Sequence, residues 1–222
     1  MNTIENAVAG LRTQLVDLHR ELTRWGLVVW TAGNVSARVP DAELLVIKPS
    51  GISYDDLTAD TMVVCDLNGK PVDGALSPSS DTAAHAYIYR HMPHVGGVVH
   101  THSTYASAWA ARAEPIPCVL TAMADEFGGE IPVGPFARIG GDEIGRGVVE
   151  TLAGHRSPAV LMKNHGVFAI GPHPLAAVKA AVMCEDVART AHLAHALGRP
   201  IPIPPDEVDR LHDRYQNVYG QR

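Results

Sequence analysis

Val95-Gly96-Gly97-Val98-Val99-His100-Thr101-His102 is the stretch that decides the fold class. Its apolar run follows Pro93 and reads as a buried strand. Upstream, Ser77-Pro78-Ser79-Ser80-Asp81 has the residues of a helix start, and the helix is predicted to run to about His91. Downstream, a second helix is predicted over roughly Ser103 to Arg112. A strand between two helices places the chain in the α/β class. Residues i and i+2 of a strand share a face, so His100 and His102 stand side by side where the strand leaves the core. Such a pair suits a divalent ion, because imidazole nitrogens bind Zn²⁺ at about 2.0–2.1 Å. Two surface histidines at a strand end have the same spacing, so the pair alone leaves both readings open.

The rest of the chain repeats this mixture. Val8, Leu11, Leu15, Leu18, Leu22 and Trp25 recur at steps of three and four, which predicts an amphipathic helix stopped by Gly26. A Gly/Asn/Ser stretch, Thr31-Ala32-Gly33-Asn34-Val35-Ser36, follows. Leu44 to Lys48 reads as a strand ended by Pro49-Ser50-Gly51, and Thr61 to Leu67 as another ended by the hairpin-type turn Asn68-Gly69-Lys70. Pro158 to Lys163 and Val167 to Ile170 read as two strands joined at Asn164-His165-Gly166. Pro174 to Leu197 is an Ala-rich helix ended by Gly198-Arg199-Pro200. No repeat or linker interrupts residues 1–222, so one α/β domain with a partly antiparallel sheet is expected.

Composition narrows the partners. Hydrophobic residues make up 46% of the 222 positions and aromatics only 5%, so the core must be mostly Val, Ala, Leu and Ile. Net charge is −6 and the 18 basic residues are scattered, which excludes a nucleic-acid footprint. No run of about 18 apolar residues exists, so no membrane span is expected. The start, Met1-Asn2-Thr3-Ile4-Glu5-Asn6, lacks the basic and apolar blocks of a signal peptide. Cys65, Cys118 and Cys184 are few, odd in number and set among apolar neighbours. They read as reduced thiols, and the expected location is the cytoplasm.

His165 adds to the candidate metal site, because a turn between two strands can push its side chain into a cleft; a simple turn histidine is the plain alternative. Three imidazoles with an open fourth position form the pattern of a catalytic metal. The other nine histidines, His192 and His195 among them, are expected to be solvated. Ser79 and Ser80 lie at a predicted helix N-terminus, whose amides and dipole favour an anion, and Lys48 supplies a cation for a single phosphate. Asn34 beside Gly33 and Ser50 beside Gly51 are further small polar residues of the same kind, and each has an ordinary reading as a turn or cap. Spacing alone makes neither Asp81 nor Asp125 catalytic.

Together these motifs resemble the class II sugar-phosphate aldolase/epimerase family, its epimerase branch most closely. The matching runs are Thr31 to Ser36, Lys48-Pro49-Ser50-Gly51, Ser79-Ser80-Asp81-Thr82, Val98 to Ser103, Asn164-His165-Gly166 and Tyr219-Gly220-Gln221. Any one is weak; their joint presence in this order is specific. The resemblance implies a three-layer α/β/α domain with a mostly antiparallel central sheet. It implies His100, His102 and His165 as ligands of one divalent metal per subunit, Zn foremost with Mn, Co or Ni as options, and Asp81 as the acid beside that metal. It implies a small phosphorylated sugar as partner, with Asn34, Ser50, Gly51, Ser79 and Ser80 at the phosphate. Asp125 resembles the catalytic acid/base. Tyr219 resembles its partner, reaching in from a neighbouring subunit of a C4 homotetramer. The implied reaction is epimerisation at C4 of a ketopentose 5-phosphate, L-ribulose 5-phosphate to D-xylulose 5-phosphate, by retro-aldol and aldol steps. Asp rather than Glu at position 81 favours this over an aldolase cleaving L-fuculose 1-phosphate; a dehydratase of methylthioribulose phosphate and an adducin-like, non-catalytic binding domain are weaker rivals. The chain departs from the epimerase pattern at Met123, where a His commonly stands, and in a shorter segment before Tyr219; His212 matches a further interface histidine only loosely.

Overall fold

A computed structural model describes residues 3–220; Gln221, the last residue of the terminal motif, lies outside them. The chain opens with α1 (Thr3–Arg24), which buries Leu15, Leu18 and Leu22, three of the residues whose spacing predicts a helix. It then lays down β1 (Asn34–Arg38), β2 (Leu44–Ile47), β3 (Val63–Asp66) and β4 (Pro71–Asp73). Next come α2 (Thr82–His91), β5 (Gly97–Thr101), α3 (Thr104–Arg112), α4 (Thr121–Phe127) and β6 (Val133–Gly134). The last elements are α5 (Glu143–Leu152), β7 (Ala159–Met162), β8 (Gly166–Gly171), α6 (Pro174–Leu197) and α7 (Pro205–Asn217).

The strands form one eight-stranded sheet in the order β4-β3-β2-β1-β5-β8-β7-β6. Every pairing is antiparallel except β6 with β7. Alternation along the strands divides the core in two. Val35, Ala37, Val46, Val99, Val167 and Ala169 face a layer that includes α1, α3 and α6. Leu45, Ile47, Val98, Phe168 and Ile170 face a thinner layer made by α2 and α5. The three-layer, mostly antiparallel expectation is therefore met.

Several local expectations change. The Thr31–Ser36 stretch contains most of a strand, because β1 is central and pairs with both β2 and β5. The apolar run from Thr61 becomes a strand only at Val63, Thr61 being the last residue of a short 3₁₀ turn, Ala59–Thr61. Helices α4, α5 and α7 are additions to the elements that the sequence pattern predicts. The expectation that nine histidines are solvated fails for His19 and His85, both fully buried. His19 accepts from the Val35 amide through Nε2 at 2.9 Å, so its Nδ1–H donates to the Leu15 carbonyl at 2.6 Å. One neutral ring thus joins α1 to β1. The cysteines are free, with Cys65 and Cys184 buried and Cys118 half-buried. No helix among the described residues is long and apolar enough to cross a membrane.

A candidate active site built on three histidines

His100 and His102 lie at the end of β5, and the sheet register places His100 between Asn34 of β1 and Phe168 of β8. The His100 ring stacks on Phe168 with centroids 4.3 Å apart. Its Nδ1–H donates to the Val167 carbonyl at 2.9 Å, which leaves Nε2 with its lone pair facing outward. His165 reaches the same spot from the β7–β8 turn, where Asn164 takes a left-handed conformation at φ 58°. That turn needs Gly166: a Cβ there would lie 2.4 Å from the Thr101 carbonyl and 3.0 Å from the His102 ring. Gly33 is constrained in the same way, with φ 82° and room for a Cβ only 2.9 Å from the His100 carbonyl.

The three rings converge. One nitrogen from each of His100, His102 and His165 lies within 4.8 Å of the others, the His100 and His102 Nε2 atoms being 2.8 Å apart. Ligands on a tetrahedral Zn²⁺ would be about 3.3 Å apart, given metal–nitrogen bonds of about 2.0–2.1 Å. His165 keeps a buried Nδ1 with no hydrogen-bond partner. Burial pushes His100 down to about 3, and it also lowers His102 and His165, so all three are neutral near pH 7. Neutral imidazoles with converging lone pairs fit a divalent ion.

Beside them stands Asp81, at the start of α2. Its side chain does not cap the helix; it accepts a hydrogen bond from Asn34 Nδ2 at 2.7 Å. Burial opposes its ionisation most strongly, but His100, His85, the Asn34 amide and His165 outweigh that, and the carboxyl sits below its ordinary range. Asn34 Nδ2 also donates to Ser79 Oγ at 3.0 Å, while Asn34 Oδ1 is buried and unpartnered. Lys48 is buried, its Nζ donating to the Thr31 and Pro49 carbonyls at 3.2 and 3.3 Å. Burial lowers its pKa. The Ser79 amide donates to the Lys48 carbonyl and the Ser50 amide to the Ser77 carbonyl, which fixes the two loops against each other.

The result is a cavity of about 280 Å³ lined by Asn34, Lys48, Ser50, Gly51, Ser79, Ser80, Asp81, His100, His102 and His165. Ten residues singled out in the sequence meet there. Ile139, exposed in the loop before α5, also lines it, and no motif in the sequence points to it. The buried support beneath Asp81 is a second feature that sequence reasoning missed: His85 Nδ1 and the Tyr89 hydroxyl both bond Ser36 Oγ, at 2.7 and 2.8 Å. The four-residue spacing of Asp81, His85 and Tyr89 along one helix face is the signal that could have found it.

Asp125 and Tyr219 do not line this cavity within one chain. They lie together elsewhere, on α4 and just beyond α7. Arg214 bonds the Asp125 carboxylate at 3.4 and 3.5 Å, and its guanidinium lies 5.4 Å from the centre of the Tyr219 ring. Tyr219 is 62% exposed. His212 donates from Nδ1 to the Asp125 carbonyl, 3.1 Å away.

Comparison with known proteins bears on the family and the fold. The chain is 42% identical over 227 aligned positions to L-ribulose-5-phosphate 4-epimerase UlaF of Salmonella paratyphi B, covering 96% of this chain and 99% of that protein. Its structure superposes on an L-fuculose 1-phosphate aldolase with a TM-score of 0.87 and 28% identity, covering 93% of this chain and 96% of that one. An L-fuculose-1-phosphate aldolase from Thermus thermophilus matches with a TM-score of 0.71 and 25% identity, over 84% of this chain and 96% of that one. Residues 13–192 match the family model described as class II aldolase and adducin N-terminal domain, and with these relatives the chain belongs to that family.

Proposed function

We propose that this protein is a divalent-metal-dependent L-ribulose-5-phosphate 4-epimerase, acting in the cytoplasm as a C4 homotetramer in which residues 1–222 form one unit. The observation that carries the reading is the cavity in which three imidazoles face Asp81, Lys48 and a cradle of small polar residues. The 42% identical relative, named an epimerase, supports the choice of reaction. A divalent ion held by His100, His102 and His165, Zn foremost, would supply Lewis acidity toward adjacent ketose oxygens.

The chain's own residues do the rest. Lys48, Asn34, Ser50, Gly51, Ser79 and Ser80 hold the phosphate. Asp125 and Tyr219, brought to the cavity from a neighbouring subunit, take and return the C4 hydroxyl proton on opposite faces. The C3–C4 bond breaks as that proton leaves. The two-carbon aldehyde stays anchored by its phosphate, turns over, and is re-attacked on its other face, which inverts C4. The exposure of Tyr219 and its pairing with Asp125 through Arg214 support delivery as a unit.

Aldolase activity is the second reading, favoured by the 0.87 TM-score to an L-fuculose 1-phosphate aldolase. Product analysis separates the two. Xylulose 5-phosphate formed from L-ribulose 5-phosphate is expected; dihydroxyacetone phosphate released from L-fuculose 1-phosphate, with no epimer, would assign the chain to the aldolases.

A further inference from the structure

Lys179, on α6, has no part in the cavity of the three histidines. Its Nζ forms an ion pair with Glu126 Oε2 at 2.7 Å, and that carboxylate side chain is only 8% exposed. The same Nζ lies 4.8 Å from the centre of the Tyr215 ring. Three helices therefore meet at one ammonium: α4 through Glu126, α6 through Lys179 and α7 through Tyr215.

Each partner of Lys179 is one step from a proposed acid/base residue. Glu126 is the chain neighbour of Asp125. Tyr215 stacks on Tyr219 with centroids 5.2 Å apart and planes 21° apart. Helix α7 needs such an anchor, since Val208 is its only buried residue. Most of its surface is charged or polar, so apolar packing holds it weakly. A cation facing a nearly buried carboxylate is directional, and removing it leaves that carboxylate uncompensated.

We infer that Lys179 is a positioning residue: by clamping Glu126 and Tyr215 it holds α4 and α7 in the register that presents Asp125 and Tyr219 as one unit. The inference rests on the epimerase reading for the roles of those two residues. The clamp itself does not. Small displacements of reacting groups are costly, about 10²-fold for about 1 Å, so a loosened clamp is expected to reduce turnover more than substrate binding.

The test pairs kinetics with hydrogen exchange on the full-length, metal-loaded protein. Lys179→Met is expected to speed amide exchange in 205–217 and 121–127 but not in β5 or β8, and to lower kcat about tenfold or more with KM within about threefold. Lys179→Arg, which keeps the charge, is expected to stay close to wild type. Should Lys179→Met fold poorly because Glu126 is left bare, the Glu126→Gln/Lys179→Met pair removes both charges and should show the same kcat loss. Unchanged exchange in α7 overturns the clamp. Faster exchange with unchanged kcat overturns the positioning role. Wild-type protein inert toward both sugar phosphates would instead sink the epimerase reading, and exchange would still decide the clamp.

Discussion

Asn34 and Asp81, 47 residues apart in sequence, meet through a 2.7 Å hydrogen bond that ties the central strand β1 to the start of α2. Both side chains are buried, so the bond is not shared with bulk water. Asn34→Leu keeps the volume and removes the donor. An expected loss of about 1–3 kcal/mol follows from leaving the carboxylate without it, read from urea denaturation. KM for the sugar phosphate should rise as well, because the same amide fixes Ser79. A stability within about 0.3 kcal/mol of wild type would show the bond to be unimportant.

His102 offers the cleanest test of the metal. It is exposed, whereas His100 is fully buried and bonded to Val167. His102→Ala should fold normally, purify with little bound metal and lose turnover. Chelator should inactivate the wild type, lower its Tm, and be reversed by Zn²⁺. Binding at 100 times Kd adds about 2.7 kcal/mol, so the wild-type shift should be plain and the variant should show none. Metal content by elemental analysis decides the matter: full occupancy in His102→Ala would contradict the ligand assignment.

Asp125 lies apart from the three histidines in one chain. If neighbouring subunits complete each other's sites, His102→Ala and Asp125→Asn should each be nearly inactive alone, yet regain activity when co-refolded. A random mixture yields some interfaces with both intact halves. Recovery to a measurable fraction of wild type is the expected outcome, and no recovery in confirmed mixed oligomers would place Asp125 in its own subunit's chemistry.

Two histidines buried outside the cavity, His19 and His85, add to the loss of stability expected in acid. Burial, the largest influence on each, holds His19 near about 3 and His85 near about 4, against an ordinary 6.5. In the unfolded chain both take up a proton as pH falls through about 6.5; in the folded chain they do not until about 4 and about 3. Their contribution is complete above pH 6.5 and is lost progressively below it, at up to about 1.4 kcal/mol per pH unit per histidine. Denaturation of metal-free protein between pH 7.5 and 5 should show this slope. His19→Gln should be less stable at pH 7.5 but flatter toward acid; parallel curves would mean His19 is not held neutral.

Much of this was legible in the sequence because it depended on short-range pattern. The Pro174–Leu197 helix is bounded by residues that start and stop helices, and its limits are those observed. The H-x-H pair needed only the two-residue period of a strand. What stayed hidden depended on neighbours distant in sequence. Asn34-Val35-Ser36 looks like a loop until β2 and β5 flank it and supply hydrogen bonds on both sides. His85 looks like a helix-surface residue until Ser36 and Phe168 are found beside it. Helix α7 has only Val208, Leu211 and Tyr215 at helical steps of three and four among mostly charged and polar residues, a pattern too sparse to stand out in the sequence. The site residues could be named, and Tyr219 was expected from a neighbouring subunit, but nothing in the sequence said that Asp125 would lie with it, apart from the other ten.

The sheet's two unequal faces also bear on how this fold changes over evolutionary time. His100, His102 and the support for Asp81 stand on the thinner side, while the larger core beneath α1, α3 and α6 contains none of the residues that line the cavity. That core lies across the sheet from the cavity. Substitutions in the loops around the cavity therefore leave the packing of the larger core untouched. A scaffold divided in this way is free to exchange one sugar phosphate for another while its metal-binding strand stays in place.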